Sequence, residues 1–325
     1  MKRFIIKTIC ILSPFLLILL SYIIYDPFRV IWAYNDYMEN GSGNAAYTSY
    51  KILTREDSIP FNSFIVGSSR SQNWPWKEWE KYLDSTAYAF HLDQSGDGVL
   101  RALERLQFVY NHVERVENVL LIVDHEWLAS TDHPDDIQFR NPWQMRPNKD
   151  YLAFQIAAFK FFISEEGFKK HFHIGEEFKY NLPSYRDERN EPHSIGREWA
   201  ITCDPKFYYE HLARQHIEYY RFKQRNSIEQ IGEPVISERG IEQLSQINRL
   251  FKMGNTDYKI IISPLYDQLK LNSADKSLLD SIFEAKNVFD YSGINKYTTD
   301  SLNYYEASHY RPHVAAQILE EIYTQ

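Results

Sequence analysis

Two short motifs, far apart in the chain, carry side chains that could do nucleophilic chemistry. Residues 67–70 read G-S-S-R, and residues 305–310 read Y-E-A-S-H-Y. If Ser69 lies on a sharp turn after a buried strand, its hydroxyl projects at the ligand-binding edge of a sheet and its own N–H can stabilise an oxyanion. Glu306, three residues before His309, can orient the imidazole and stabilise its charged form. Each motif alone also fits a simpler interpretation, an ordinary turn for the first and an exposed surface pair for the second.

The segments around these motifs alternate between strand and helix patterns. Short apolar runs typical of buried strands, and apolar residues at helical spacing, follow each other along the chain. The strand-like runs are 63–66, 86–92, 118–123, 258–262 and 288–289, and the helical ones are 76–83, 99–110, 241–251, 278–283 and 312–322. The run at 118–123 is apolar almost throughout, as the centre of a parallel sheet requires. The alternation therefore predicts an α/β fold with a parallel sheet and helices on both faces.

The order of these motifs resembles the SGNH/GDSL serine hydrolase family. In that family a Gly-Asp-Ser motif ends the first strand, a second block contains a glycine, and an Asp-x-x-His block precedes the last helix. Here residues 67–69 match the first block with Ser68 in place of aspartate, Ser95 and Gly96 look like the second, and residues 306–309 look like the third. The chain is similar to membrane-anchored members such as teichoic-acid D-alanyl-transfer proteins and exopolysaccharide acyltransferase-like proteins.

The resemblance implies a flavodoxin-like three-layer α/β/α sandwich and assigns roles to site residues. Ser69, His309 and Glu306 would form the catalytic triad. The backbone N–H groups of Ser69 and Gly96 would hold the oxyanion. The resemblance implies no metal and no other cofactor.

The sequence departs from the family pattern after the third strand. The Gly-x-Asn-Asp block of the family is absent there, and residues 124–127 read D-H-E-W. Asp124 and His125, at this strand end, are candidate pocket residues, as are Arg70 and Asn73 in the turn that follows the nucleophile. The missing asparagine favours a second hypothesis, a non-catalytic glycan-binding or assembly protein on a degenerate form of the same fold.

The N-terminus has the pattern of a membrane anchor. Lys2, Arg3 and Lys7 precede an uncharged, mostly apolar stretch from residue 8 to residue 25, which is long enough to cross a bilayer as a helix. A cleaved signal peptide is the alternative, but residues 21–25 read S-Y-I-I-Y and contain no small-x-small cleavage site. The basic flank stays inside, so we expect the chain from about residue 30 onward to face out of the cytoplasm.

The domain organisation follows from these patterns. We expect an anchor at 1–25, a juxtamembrane lead-in at 26–60 and an SGNH-like domain at 61–325. The alternation stops at about 126–233, which we interpret as a mostly helical insertion that emerges from the end of the third strand. Ligands of open α/β sheets bind at that edge, so the insertion should wall or cover the site.

Composition and charge exclude several function classes. The 325 residues carry a net charge of -8, which argues against nucleic acid as a partner because such proteins need a basic surface. Two cysteines cannot build a disulfide framework. Aromatic residues make up 16% of the chain, which fits either a sugar-binding cleft or an aromatic core.

Two metal-binding patterns compete with these interpretations. Residues 93–104 fit the ligand spacing of an EF-hand loop, but the preceding residues alternate like a strand, where an EF-hand needs a helix. We therefore prefer a strand-to-helix turn. His171, His173 and Glu176 could be metal ligands, but lysines surround them and no third cluster completes a site. A solvated polar face is the preferred interpretation.

The sequence thus predicts a single-pass membrane protein whose C-terminal domain is extracytoplasmic. The resemblance implies an esterase or acyltransferase that acts on an acyl group of a cell-envelope glycan. A membrane protein that donates the acyl group is a possible partner. Water or a sugar hydroxyl could accept the acyl group, and the sequence does not separate the two.

Overall fold

The computed structural model describes residues 1–28, 30–32, 38–39, 45–55, 60–134, 136–148, 150–165, 169, 184–214, 225 and 228–324. The strands in chain order are β1 (Met38–Glu39), β2 (Ser63–Gly67), β3 (Ala89–Asp93), β4 (Asn118–Val123), β5 (Ser184–Arg186), β6 (Pro192–Ser194), β7 (Gln230–Ile231), β8 (Asp257–Ile262), β9 (Leu269–Lys270), β10 (Val288–Asp290), β11 (Tyr304–Glu306) and β12 (His309–Tyr310). The helices are α1 (Lys2–Tyr25), α2 (Ala45–Leu53), α3 (Trp76–Glu80), α4 (Val99–His112), α5 (His125–Ala129), α6 (Tyr151–Phe162), α7 (Ile195–Thr202), α8 (Pro205–Arg214), α9 (Glu238–Gly254), α10 (Ser273–Phe283), α11 (Lys296–Thr299) and α12 (Pro312–Thr324).

A five-stranded parallel sheet forms the centre of the fold. Its strand order is β10-β8-β4-β2-β3, and every neighbouring pair is parallel. Counted along the chain, this order is 2-1-3-4-5, the arrangement of a doubly wound sheet whose crevice opens where the order reverses. That switch point lies between β2 and β4. The predicted α/β class and parallel sheet are confirmed, and all five predicted strands are present.

The sheet is covered on both faces because successive side chains point to opposite sides. Phe64 and Val66 of β2 belong to one apolar core, which includes residues of α4, α9 and α10. Ile65, between them, belongs to a second core built with α12. A strand buried on both faces reads as a continuous apolar run, which is why this pattern was visible in the sequence.

The predicted lead-in at 26–60 is integrated into the domain in its described parts. Helix α2 packs through Ala46 against Phe108 and Met145, and the N–H of Ala46 donates to Oε1 of Gln94 at 2.7 Å. Strand β1 pairs with β5, which in turn pairs with β6. This small antiparallel sheet was not predicted, since its strands are only two or three residues long and carry no readable alternation.

The region expected to be a helical insertion contains α6, α7 and α8 but also the β5–β6 pair and β7, which pairs with β9. At the N-terminus, the segment Lys7–Tyr25 of α1 is long and apolar enough, by length and composition, to span a membrane. Asp26 ends the helix in a left-handed conformation with φ of 38°.

Candidate active site

A glycine allows the chain to turn sharply after β2. Gly67 has φ of +155°, and a Cβ atom there would lie 2.6 Å from the carbonyl oxygen of Ile122 on β4. Any larger residue would push the two strands apart at the switch point. The chain then enters a 3₁₀ turn, Ser69–Asn73, at the carboxyl edge of the sheet.

Three serines lie in this turn, and their hydroxyls have different surroundings. Ser68 is buried, and its Oγ accepts from the N–H of Arg70 at 3.5 Å. Ser71 is fully buried and donates to the carbonyl of Ser68 at 2.7 Å. Ser69 Oγ instead lies 2.8 Å from Nε2 of His309. Of the three, Ser69 is therefore the hydroxyl placed next to a base.

The imidazole of His309 lies between the serine and a carboxylate. Its Nδ1 is hydrogen-bonded to Oε1 of Glu306, on the side of the ring opposite Ser69. The serine-to-imidazole distance is within the reach required for proton transfer. The structure thus brings together the three residues expected to form the triad, although 240 positions separate Ser69 from His309.

A β-hairpin, rather than a helical turn, joins the histidine to its carboxylate. Glu306 on β11 pairs directly with His309 on β12, and the register shifts between Tyr304 and Glu306. A cross-strand pair brings side chains within contact distance, and Glu306 reaches Nδ1 of His309 across this pair. The ring of Tyr305 stacks on the imidazole, with centroids 5.7 Å apart and planes 10° from parallel.

The expected second oxyanion donor lies in the turn between β3 and α4. Gly96 has φ of +61°, a conformation that favours glycine. The turn is tied to the end of β2, because the N–H of Gln94 donates to the carbonyl of Gly67 at 3.1 Å. Gln72, in the serine turn, donates to Asp93 at 2.8 Å. Gly96 therefore lies in a turn adjacent to that of Ser69. This turn connects strand β3 to helix α4, as we expected in preference to an EF-hand loop.

The end of β4 holds an ion pair where the family has its asparagine. Asp124 caps α5 by accepting from the N–H of Trp127 at 3.1 Å, and its other oxygen accepts from Nη1 of Arg70 at 2.7 Å. Nη2 of Arg70 donates to Glu126 at 3.0 Å. Burial alone would lower the pKa of Arg70, but the two carboxylates outweigh it and raise that pKa above its ordinary value. Asp124 is thus an acceptor here and supplies no amide donor.

The other two pocket candidates have separate environments. Asn73 is buried and donates to the hydroxyl of Tyr305 at 3.3 Å, which connects it to the ring stacked on His309. His125 begins α5 and contacts the chain at Gly232, where a Cβ atom would lie 3.0 Å from its ring. No contact within the described residues joins His125 to the triad.

Two arginines of the inserted region contact the site. Arg197 contacts the serine turn and Arg186 contacts the end of β3, and the sequence patterns predicted neither contact. Nη2 of Arg197 donates to the carbonyl of Gln72 at 2.8 Å and to Oδ1 of Asn73 at 3.2 Å. Arg186 makes a two-pronged ion pair with Asp93, with distances of 2.8 and 2.9 Å. Although burial opposes it, Arg186 holds the pKa of the Asp93 carboxyl below its ordinary value. An isolated arginine in a polar stretch has no periodic signal that predicts such a contact.

A groove of about 610 Å³ lies between the serine turn and the inserted region. Polar, charged and aromatic side chains line it, together with two prolines: Gln72, Asn73, Pro75, Glu191, His193, Arg197, Glu198, Trp199, Ile201, Thr202 and Pro312. Seven of these eleven residues belong to the region at 126–233 that was expected to wall the site.

One group of side chains has metal-ligand character in the described part of the chain. Asp187, Glu191 and His193 bring one ligand atom each within 4.8 Å of one another. His193 lies 3.4 Å from Asp187 and 3.3 Å from Glu198, so hydrogen bonds to these two carboxylates account for its position. The H-x-H candidates His171 and His173, with Glu176, lie outside the described residues.

Comparison with known proteins adds no relative: no family model and no curated protein matches the chain. The class that the fold and the site define is therefore an α/β protein with a five-stranded parallel sheet and a serine, a histidine and a glutamate in contact at its carboxyl edge.

Proposed function

We propose that this protein is a membrane-anchored SGNH-like esterase or acyltransferase that acts on an acyl group of a cell-envelope glycan outside the cytoplasm. The observation that carries the proposal is the continuous contact from Ser69 through His309 to Glu306. The sheet order and the position of the serine turn at the switch point support it, because ligands of such sheets bind there.

The reaction would proceed through a covalent acyl-serine. Nε2 of His309 takes the proton as Ser69 Oγ bonds to the acyl carbonyl carbon, and Glu306 stabilises the imidazolium. The N–H groups of Ser69 and Gly96 hold the oxyanion. The carbon–oxygen bond of the donor ester then breaks, and His309 returns the proton to the leaving oxygen. Water or a sugar hydroxyl attacks the acyl-serine by the reverse sequence and releases Ser69.

The groove beside the site supports a glycan as the acyl acceptor or donor. Trp199 is 38% exposed and lies with Gln72 among the side chains that line this groove. The basic flank of α1 supports an extracytoplasmic orientation, since lysine and arginine stay on the cytoplasmic side.

A second candidate is a non-catalytic glycan-binding or assembly protein on the same fold. The observation that favours it is the engagement of Asp124 by Arg70, which leaves this strand end without the amide of the family's asparagine. The two candidates differ in whether Ser69 is activated.

Labelling with a fluorophosphonate probe decides between them, because the probe reacts with an activated serine and not with a binding site. We expect the full chain to label, Ser69→Ala to lose labelling entirely, and Ser68→Ala, the matched neighbour, to retain most of it. An unlabelled wild-type protein with an intact fold would favour the binding protein. Loss of labelling on Ser68→Ala with retention on Ser69→Ala would move the nucleophile by one residue.

A further inference from the structure

Helix α6 carries an apolar surface that the domain leaves uncovered. Leu152, Ile156 and Ile163 are 68%, 48% and 54% exposed. Leu152 and Ile156 lie in α6, and Ile163 directly follows its last residue. Their intervals of four and seven residues place them on one side of the helix. An exposed apolar surface of this kind is typical of a site that contacts another protein or a membrane.

The side of α6 adjacent to these residues packs on the end of α1. The hydroxyl of Tyr22 donates to Oε1 of Gln155 at 3.0 Å, and its ring contacts Phe159 and Phe162 with centroids 5.4 and 5.5 Å apart. Phe154 and other residues of α6 complete this apolar cluster. The contact involves the last turn of the segment that is long enough to span a membrane.

Hydrogen bonds hold the segment that connects α1 to the domain in a defined conformation. The buried carboxylate of Asp26 accepts from three backbone N–H groups, those of Val30, Ile31 and Trp32, at 2.8, 3.0 and 2.9 Å. The indole of Trp32 donates to the carbonyl of Ile23 at 2.7 Å. The chain leaving the anchor is therefore folded back against it, which fixes the level of α6 along α1.

That level places the uncovered stripe within the bilayer boundary. The spanning segment has 19 residues, or about 28 Å of helix, close to the thickness of the hydrocarbon core of about 30 Å. Tyr22 lies three residues before its end, roughly 4.5 Å inside it. Helices in the membrane plane bury their apolar face about 5–10 Å deep, which matches this depth.

We propose that α6 lies in the plane of the membrane beside α1, with Leu152, Ile156 and Ile163 in contact with the acyl chains of the outer leaflet. Exposed aromatic side chains near this level, Tyr25, Trp32 and Tyr151, form the belt that suits the membrane–water boundary. The inference rests on the anchor that is part of the proposed function, but not on catalysis. It implies that the domain is held against the bilayer at a fixed tilt.

The test uses single cysteines that carry an NBD fluorophore, in the full chain with Cys10 and Cys203 changed to serine. The labelled protein is reconstituted in phosphatidylcholine vesicles with and without lipids that bear a nitroxide on the acyl chain. Ile156→Cys and, as a second position, Leu152→Cys report on α6. Leu17→Cys reports on α1, and Met253→Cys, an apolar side chain 78% exposed on α9, is the matched control.

We expect the nitroxide lipids to quench the probes at Ile156 and Leu152 as strongly as the probe at Leu17, and to leave the probe at Met253 bright. Quenching at Leu17 with none at either α6 position would overturn the in-plane helix and leave the anchor standing. Absence of quenching at Leu17 would overturn the anchor and the inference together. Fluorophosphonate labelling of the same samples reports separately on the catalytic proposal.

Discussion

Arg70 and Asp124 form a buried ion pair that ties the residue after Ser69 to the end of β4, with Nη1 and Oδ2 2.7 Å apart. The two residues lie on either side of the switch point between β2 and β4. The pair therefore fixes the spacing of the two turns that border the candidate site. Glu126, which is exposed, adds a weaker contact to the same guanidinium.

We predict that Asp124→Asn destabilises the fold by about 3 kcal/mol, because the buried guanidinium of Arg70 then keeps only the exposed Glu126 as an ionic partner. Glu126→Gln should cost less than about 1 kcal/mol, since an exposed partner contributes little. Urea unfolding of the full chain in detergent, followed by tryptophan fluorescence, measures both. Equal losses for the two variants would contradict the assignment of the strong contact to Asp124.

We predict that turnover falls in the order wild type, Glu306→Asp, Glu306→Gln. The glutamine keeps the size but removes the charge that stabilises the imidazolium, and by analogy with other triads the loss is on the order of 10⁴-fold. Aspartate keeps the charge but is one methylene shorter across the hairpin, so its loss is smaller. The measurement is kcat on any ester that the purified protein hydrolyses. A Glu306→Gln variant with near-normal turnover would show that another group orients His309.

We predict separable effects for the two contacts of Tyr305. Tyr305→Phe keeps the ring stacked on His309 and loses the hydroxyl contact to Asn73, so the rate of fluorophosphonate labelling should change little. Tyr305→Leu loses the stacking as well, and stacked rings contribute about 1 kcal/mol, which predicts a rate roughly five- to tenfold lower. Labelling rates at fixed probe concentration compare the variants. A larger effect for phenylalanine than for leucine would reverse the roles of ring and hydroxyl.

We predict that stability falls with acid because of His91 on β3. Burial lowers the pKa of its imidazole below the ordinary value of 6.5. The unfolded chain therefore binds a proton that the folded chain does not, so the contribution is complete above pH 6.5 and is lost as the pH falls through the folded pKa. One such group gives a slope of up to about 1.4 kcal/mol per pH unit.

Unfolding free energies of the wild type and His91→Gln between pH 7.5 and pH 4.5 test this prediction. The wild type should lose stability across this interval more steeply than the variant. Parallel curves would mean that His91 takes up a proton without penalty in the folded protein.

The sequence predicted the helices and strands whose buried residues recur with a regular spacing. Strand β4, buried on both faces, matches its predicted range at both ends, and Pro312 begins α12 as expected. The second sheet strand starts at Ala89, three residues later than predicted, and the N–H of Tyr88 before it donates to the side chain of Asn62 at 2.7 Å instead of to a strand carbonyl. The predicted helix at 76–83 ends at Glu80, where the chain enters a turn.

The sequence predicted the site residues that lie in short motifs. It did not predict the residues whose role depends on contacts with distant parts of the chain. Ser69, Glu306 and His309 lie in short motifs whose order along the chain indicated a shared site. Arg197 does not: its contact with Asn73 joins residues 124 positions apart, and nothing near either residue in the sequence indicates it. The stacking of Tyr305 on His309 likewise depends on a hairpin that the sequence suggested only as a turn.

The chain order of the site has a consequence for when it can exist. Ser69 lies near the beginning of the domain, whereas His309 lies on the last strand before the final helix. During synthesis, an emerging chain carries the serine long before it carries the imidazole and its carboxylate. The contact between Ser69 and His309 therefore cannot form until residue 309 has emerged and β12 has paired with β11. Under the proposed function, a nascent chain would thus acquire its activated serine only at the end of folding.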